Sequence, residues 1–447
     1  MDWACLDSQP AGCPRAPARP LGPAARKPRA PPRDSCTLRA VQTPDDGRAY
    51  RRKLLFFLGV ATFFEGFDGM ALAQLLPSVQ RDFRLTDWAL GGLVALVNFG
   101  TVIAYLLVRQ SDRVGRKPVL DITIVGYAIT SFLSAFAPEG ISFALLQMSA
   151  RVFLIGEWVV STVYAAEEFP ANERGFAIGL INAFASLGAV VCAGVVPLLL
   201  RLPWGWRSVY VVGTIPLLAL AFARRGIRET HRFSQLPLSE RKPTALFRVF
   251  GTPYRRRVLQ LALIWGLTYL CTQTAITFFK SRAVDELHRS EGEVGTIISV
   301  AAVLSMPAVF LIGRLFDRFG RKPIASFVFL ATALGCVGAY TATSTPLLVV
   351  SAILAVFGCA AVLPVLNAFN TELFPTDLRG DAFAWSNNLL GRVGYVLSPL
   401  VVGAAAERFG WGPSVALTAL GPLVALVLIL RWLPETSGKE LEETSRL

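Results

Sequence analysis

The sequence D-R-V-G-R-K-P at residues 112–118 occurs a second time as D-R-F-G-R-K-P at residues 317–323. A second motif, E-x-F-P-x-x-x-R-G, begins at Glu167 and occurs again from Glu372. Both motifs return 205 positions further along, from 112 to 317 and from 167 to 372. Two unrelated motifs that share one separation are hard to obtain by chance. The pattern predicts that the chain contains two parallel copies of one unit.

Each copy contains enough apolar sequence to cross a membrane several times. Hydrophobic residues make up 53% of the 447-residue chain and charged residues only 17%, whereas soluble domains carry roughly 25% charged residues. Apolar stretches long enough to cross the hydrocarbon core as helices recur throughout. We expect an all-α membrane protein of twelve transmembrane helices in two six-helix, pseudo-symmetric halves. The predicted spans are 54–77, 88–108, 118–137, 141–163, 176–199, 207–223, 258–280, 294–312, 323–341, 346–369, 382–403 and 412–432.

The net charge of +13 would suit a nucleic-acid-binding protein, but the basic residues lie between the apolar spans. They concentrate in the 2–3 loop, the 8–9 loop and the central segment, all on one side of the membrane. The positive-inside rule then predicts a multi-pass protein of the plasma (inner) membrane with both termini in the cytoplasm. The predicted parts are a disordered, basic, proline-rich cytoplasmic tail (1–50), an N-terminal six-helix bundle (51–223), a basic cytoplasmic linker (224–256), a C-terminal six-helix bundle (257–432) and a cytoplasmic tail (433–447).

The repeated loop carries a resemblance to a known family. G-x-x-x-D-R-x-G-R-K at residues 313–322 resembles the signature of the major facilitator superfamily between the second and third helices of each half. The first copy differs at Val108, where that family usually has glycine. L-P-E-T-x-G-K-x-L-E-E at residues 433–443 resembles the C-terminal signature of the sugar-porter and organic-ion branch. The resemblance covers residues 54–445 and implies the major facilitator fold, whose halves rock to give alternating access.

The same resemblance implies a role for the charged residues of the repeated loops. By the family's pattern, Asp112 and Asp317 brace neighbouring helices on the cytoplasmic side through charge-assisted hydrogen bonds. Alternating access makes and breaks these contacts. The alternative is that the arginines and lysines only set the topology. The predicted gating residues are Asp112, Arg113, Arg116, Glu167, Arg174, Gly313, Asp317, Arg318, Arg321, Glu372 and Arg379.

Two acids lie within the first span, where an ionisable residue is costly and indicates function. Glu65 and Asp68 are three residues apart and share one face of a helix. Two carboxylates this close in a low dielectric repel each other, so that one can take up a proton coupled to transport. The alternative is a structural pair that a neighbouring arginine neutralises.

The fourth span contains Arg151 and Glu157, which are six residues apart and therefore about 240° around a helix from each other. They do not share a face. We expect Glu157 to face the cavity, and Arg151 to anchor an anion or to pair with the acids of the first span.

The eleventh span contains Asn388 and Arg392, which share a face at i, i+4 spacing. An arginine at this depth needs a counter-charge, which is either an acid of the protein or an anionic substrate. Gln273 in the seventh span supplies neutral hydrogen bonds, either to substrate or between helices.

Together these spans resemble those of bacterial aromatic-acid and metabolite:proton symporters. The resemblance rests on E-G-F-D at 65–68, on G-E-W at 156–158 and on N-x-x-x-R from Asn388. It implies that the functional acids and arginines of that group correspond to Glu65, Asp68, Arg151, Glu157 and Arg392. Val159, Val160 and Ser161 replace much of a glycine-rich run of that group.

These observations predict a secondary active transporter that works by alternating access as a proton-coupled symporter of a small organic anion. Proton-driven efflux of a drug or secondary metabolite is the alternative, and a non-transporting membrane sensor is a third reading. We expect no enzymatic activity. The chain has only two histidines, too few for a histidine metal site, and its sequence contains no nucleophile elbow or phosphate loop. The expected partners are a small-molecule substrate and membrane lipid, without nucleic acid, for a monomer that uses no cofactor except the coupling proton.

Overall fold

The computed structural model describes residues 44–224, 227–235, 247–375 and 378–436. Most of the predicted N-terminal tail, much of the predicted linker and residues 437–447 lie outside these ranges. The predicted tail reaches residue 50, but the first helix already begins at Pro44.

The described part of the first half consists of six long helices. The chain reverses between α1 and α2 at residues 84–86, and between α2 and α3 at Gly115. The helices are α1 (Pro44–Phe83), α2 (Asp87–Val114), α3 (Arg116–Ser134), α4 (Gly140–Glu168), α5 (Ala171–Leu199) and α6 (Arg207–Ala223).

The second half repeats this order of six helices in its described residues. A short helix, His231–Gln235, precedes it. The helices are α7 (Arg255–Thr277), α8 (Glu291–Phe319), α9 (Arg321–Thr341), α10 (Thr345–Glu372), α11 (Arg379–Phe409) and α12 (Trp411–Trp432). Within α11, residues Ala384–Gly391 form a π-helix.

The twelve described helices have the composition of membrane spans. Ten of them are long and apolar enough to cross a bilayer, and α6 is a shorter apolar helix. The remaining helix, α3, exposes Ile122, Val125 and Ile129 along one side, as expected for a surface that faces lipid. The prediction of an all-α membrane protein with twelve helices is confirmed.

Several helices extend beyond the predicted spans. For example, α1 ends at Phe83 instead of residue 77, and α8 ends at Phe319 instead of residue 312. The added turns are polar, because a helix longer than the hydrocarbon core continues into the interfacial region.

The repeated loops fold in the same way in both halves. Gly115 and Gly320 have φ angles of 111° and 93°, a region that side chains other than glycine rarely adopt. Each glycine lets the chain turn sharply into the next helix, α3 or α9. We call the end of the bundle with these two loops the brace face, and the opposite end, with the α1–α2 turn, the far face.

The two halves meet where α2 packs on α11 and where α5 packs on α8. The closest approaches lie toward the far face. A Cβ atom added to Gly91 would lie 2.3 Å from the carbonyl oxygen of Pro399, and one added to Gly403 would lie 2.6 Å from that of Asp87. Glycine at these positions lets the two backbones touch.

Replacing Gly91 by valine should therefore separate α2 from α11 at the far face. We expect Gly91→Val to destabilise the protein by about 1–3 kcal/mol, the usual cost of overpacking, as a lower midpoint of thermal unfolding in detergent. Gly92→Val is the matched control, because the nearest atom to a Cβ there is a leucine methyl 3.7 Å away. Equal midpoints for the two variants would contradict the close contact.

Candidate transport site and gating network

The α2–α3 loop of the first half is held by a partly buried set of charges. The Arg116 guanidinium donates to the Glu167 carboxylate, with nitrogen–oxygen distances of 3.0 and 3.1 Å. It also pairs with Asp112 at 3.3 Å. The Glu229 carboxylate accepts from the backbone N–H groups of Arg116 and Lys117, each about 3 Å away. These bonds tie the α2–α3 loop to α4 and to the segment after α6.

The loop of the second half has the same arrangement. Arg321 donates to Glu372 with its closest distance at 2.9 Å. The Glu435 carboxylate accepts from the backbone N–H of Arg321 at 2.8 Å and from that of Lys322 at 2.9 Å. Thr436 donates its hydroxyl to Glu372, as Thr230 does to Glu167 at 2.6 Å. At the brace face of each half, an arginine between two glutamates thus ties the loop to the neighbouring helices of the same half.

The Glu229–Thr230 pair of this network is missing from the sequence-based set. The signal was present, because E-T at 229–230 recurs as E-T at 435–436. The separation is 206, one more than for the two motifs, so the pair falls out of register with the repeat.

The other predicted gating residues have different surroundings. Arg113 and Arg318 are exposed, and the Arg318 guanidinium lies over the ring of Phe319. Arg379 donates to the carbonyl oxygen of Phe374 at 3.4 Å. The surroundings of three further predicted residues lie outside what the structure describes: Arg174, Gly313 and Asp317. The gating role of the whole set stays a prediction.

The two acids of α1 lie beside Arg151 of α4. Arg151 exerts an attractive electrostatic effect on both carboxylates, and Glu65 is also close enough to repel Asp68. Asp68 is 4% exposed and lines a small cavity with Tyr127 and Tyr210 inside the first half. The structure therefore brings these three predicted charges, Glu65, Asp68 and Arg151, into one group.

Arg151 is held in this group by close packing. Its side chain is buried, and its Nε has no hydrogen-bond partner among the described residues. A Cβ added to Gly100 of α2 would lie 3.2 Å from the Cβ of Arg151. The absence of a side chain at Gly100 lets α4 approach α2 closely at Arg151.

Glu157 faces away from this group, in agreement with its spacing from Arg151. Its carboxylate accepts from Arg224 at 2.6 Å, from Thr123 at 2.6 Å and from Ser161 at 3.2 Å. The side chains of Glu157 and Arg224 are 6% and 1% exposed. We expected Glu157 to face the cavity, but the structure places it between α3, α4 and α6, where its charge is neutralised within one half.

Arg224 was interpreted from the sequence as a basic residue of the linker. It is instead the first residue after α6, and its side chain returns into the bundle to reach Glu157. Nothing in the sequence indicates this pairing, because the two residues lie on different helices and match no motif.

The charge of Arg392 in α11 lies against aromatic rings. Its guanidinium carbon is 5.1 Å from the ring centre of Tyr269 and 4.8 Å from that of Tyr395. The Tyr269 hydroxyl donates to Asn387 at 2.8 Å, and the ring of Trp265 stacks on Tyr269. Arginine, tyrosines and asparagine thus form one polar and aromatic cluster in the second half, which we call the Arg392 cluster.

The π-helix changes which asparagine belongs to this cluster. We expected Asn388 to share a face with Arg392 at i, i+4 spacing, but residues 384–391 have a wider turn. Asn387, five residues before Arg392, is the one that bonds to Tyr269. Gln273 donates to Thr277 on its own helix at 3.3 Å.

One hydrogen bond connects the first half to the Arg392 cluster. The Asn98 amide of α2 donates to the carbonyl oxygen of Tyr395 at 3.3 Å. Because Asn98 is completely buried, this bond lies inside the contact between α2 and α11.

A second charged group lies at the far face. Glu291 at the start of α8 pairs with Arg81 of α1 at 3.3 Å and also with Lys280. The Arg81–Glu291 pair joins the two halves, and sequence reasoning did not find it.

These features define a membrane transporter built from two six-helix halves around intramembrane charges. The sequence model of the Major Facilitator Superfamily matches residues 58–284 and again residues 261–446. The chain therefore belongs to the major facilitator superfamily, and the resemblance seen in its motifs is confirmed.

Characterised relatives agree with this assignment. The chain is 26% identical to the gallate transporter of Pseudomonas putida, an alignment that covers 86% of this chain and 91% of the relative. It is 23% identical to the niacin transporter NiaP of Acinetobacter baylyi, which covers 87% and 95%. The inward-open structure of the xylose transporter XylE from E. coli has the same fold, with a TM-score of 0.69, 19% identity and coverage of 88% and 98%. These relatives are transporters and not enzymes.

The Glu157–Arg224 pair should stabilise the first half. Arg224→Met leaves Glu157 as a buried unpaired charge, which typically costs about 3–5 kcal/mol. We expect a strongly lowered midpoint of thermal unfolding. The double variant Glu157→Gln with Arg224→Met should recover much of that loss, because no unpaired charge remains.

The double variant also distinguishes a structural role of the Glu157–Arg224 pair from a role in transport. A stable double variant with wild-type uptake would show that the pair is structural. Additive destabilisation by the two substitutions would contradict the pairing.

Proposed function

We propose that this member of the superfamily is a secondary active transporter that couples uptake of a small organic anion to protons by alternating access. The observation that carries the proposal is the environment of Arg392. Its charge lies against two tyrosine rings, and no ion pair among the described residues includes it. A cation inside a membrane protein needs a counter-charge, and an anionic substrate supplies one.

The Arg392 cluster suits a carboxylate with a planar body. Guanidinium and carboxylate groups form paired hydrogen bonds, while tyrosine rings offer flat apolar surface. Asn387 offers a further amide beside them. Gallate and niacin, the molecules named for two relatives, are both aromatic carboxylic acids.

The acid group of the first half supplies a place for the proton. Two carboxylates, Glu65 and Asp68, share the electrostatic attraction of one arginine, Arg151, so that the group carries one excess negative charge when both acids are ionised. A proton on either acid neutralises the group. The conformational change then has a lower electrostatic cost, because no net charge is buried in the membrane while the halves move. We assign the proton to the pair and not to one member, because the two sites are coupled.

The predicted orientation in the membrane makes this conformation an inward-facing one. With the brace face in the cytoplasm, the close packing of α2 on α11 closes the outer side, as in an inward-facing transporter. Rocking to the other state separates Arg81 from Glu291 and brings the two brace-face loops together. We place both termini in the cytoplasm of an inner-membrane protein that functions as a monomer.

Substitution of Arg392 tests the substrate site. In proteoliposomes with labelled gallate and niacin as probes, Arg392→Gln should lower kcat/KM by at least about tenfold, because the charge that holds the carboxylate is lost. Arg408→Gln is the matched control, since Arg408 is an exposed arginine at the far end of the same helix. Equal activity of the two variants would contradict the anion site.

Substitution of the acids tests proton coupling. Wild-type protein should accumulate the probe when the outside is more acidic than the inside, and a protonophore should abolish the accumulation. The double variant Glu65→Gln with Asp68→Asn should still exchange labelled for unlabelled probe but should not accumulate it. Accumulation that survives in this variant would exclude these acids as the proton site, and uptake insensitive to the protonophore would exclude coupling. Proton-dependent export of cationic compounds would favour the efflux alternative.

A further inference from the structure

A small, mostly apolar cavity lies between the two halves toward the far face. Its lining includes Met70 and Ala73 of α1, Ile276 of α7, Phe279 just beyond it and Ile298 of α8, together with small apolar residues of α9 and α10. Its volume is about 30 Å³, which is room for one water molecule. No predicted substrate or proton residue lines it.

Two polar side chains reach this apolar cavity, one from each half. Gln74 of α1 is completely buried, and neither its amide nitrogen nor its amide oxygen has a hydrogen-bond partner among the described residues. Lys280 is 1% exposed. An unsatisfied buried amide is costly, and native proteins retain such groups where a water or a ligand satisfies them.

In this conformation Lys280 forms an ion pair with Glu291, which also joins the two halves at the far face. Glu291 binds Lys280 from its own half and Arg81 from the other half, and it remains about one-third exposed. In the outward-facing state proposed above, separation of the halves on this side would part Arg81 from Glu291 and widen the cavity, so that Lys280 and Gln74 would be reached from the far face.

We propose that Gln74 and Lys280 form an outer subsite that binds the carboxylate of the substrate when the far face is open. The inference rests on the proposed function as an organic-anion transporter. In this subsite the Lys280 ammonium pairs with the carboxylate, and the Gln74 amide donates a hydrogen bond to it. Because the two residues belong to different halves, a carboxylate between them draws the halves together and favours closure of the far face.

The subsite predicts an effect on one side of the membrane only. In vesicles of both orientations, with labelled gallate and niacin as probes, Lys280→Gln and Gln74→Leu should each raise the KM at the far face at least tenfold. The KM at the brace face should stay within twofold of wild type, because this subsite is closed when the brace face is open. Lys280→Arg, which keeps the positive charge, should restore most of the far-face affinity.

Arg289→Gln is the matched control, since it removes a partly exposed cation near Lys280 that pairs with Glu293 outside the cavity. It should leave both KM values unchanged. Equal changes of KM at both faces in the Lys280 and Gln74 variants would overturn the subsite, and so would an unchanged far-face KM. If Lys280→Gln does not fold, the far-face KM of the Gln74→Leu variant, which changes no charge, tests the subsite. A wild-type protein that carries neither these probes nor any other organic anion would instead refute the proposed function.

Discussion

A charge inside a membrane must be neutralised, and this constraint explains how the ionisable side chains of the chain are arranged. Glu157 is neutralised by Arg224 within the first half. Glu65 and Asp68 share a single arginine, and Arg392 lies on tyrosine rings. The first arrangement is complete, whereas the second has an excess negative charge and the third an excess positive one. A proton and an organic anion would complete them.

The duplicated and the unique charges have different positions. The arginine–glutamate sets at Arg116 and Arg321 are nearly identical, and both lie at the brace face. They tie each half into a rigid unit, as rocking requires. The acid group and the Arg392 cluster each occur in one half only. We propose that coupling depends on these two different charged groups, one in each half of a duplicated frame.

Much of the fold could be predicted from the sequence, because apolar length and a repeated motif report directly on spans and symmetry. Pairing of Arg151 with Glu65 and Asp68 was one of two alternatives that their charge and depth left open. Partners on other helices could not be found, since the pairing of Glu157 with Arg224 depends on helix packing. The π-helix before Arg392 could not be predicted either, because the sequence A-W-S-N-N-L-L-G gives no sign of a wider turn. Because of this wider turn, Asn387 and not Asn388 belongs to the Arg392 cluster.

The central claim is that an organic anion supplies the missing counter-charge of Arg392. A structure determined with bound gallate or niacin tests this most directly. We expect a carboxylate about 3 Å from the Arg392 guanidinium, the distance of a charge-assisted hydrogen bond, with the substrate ring beside Tyr269 or Tyr395. A carboxylate bound away from Arg392, or an acid of the protein paired with Arg392 in the loaded state, would contradict it.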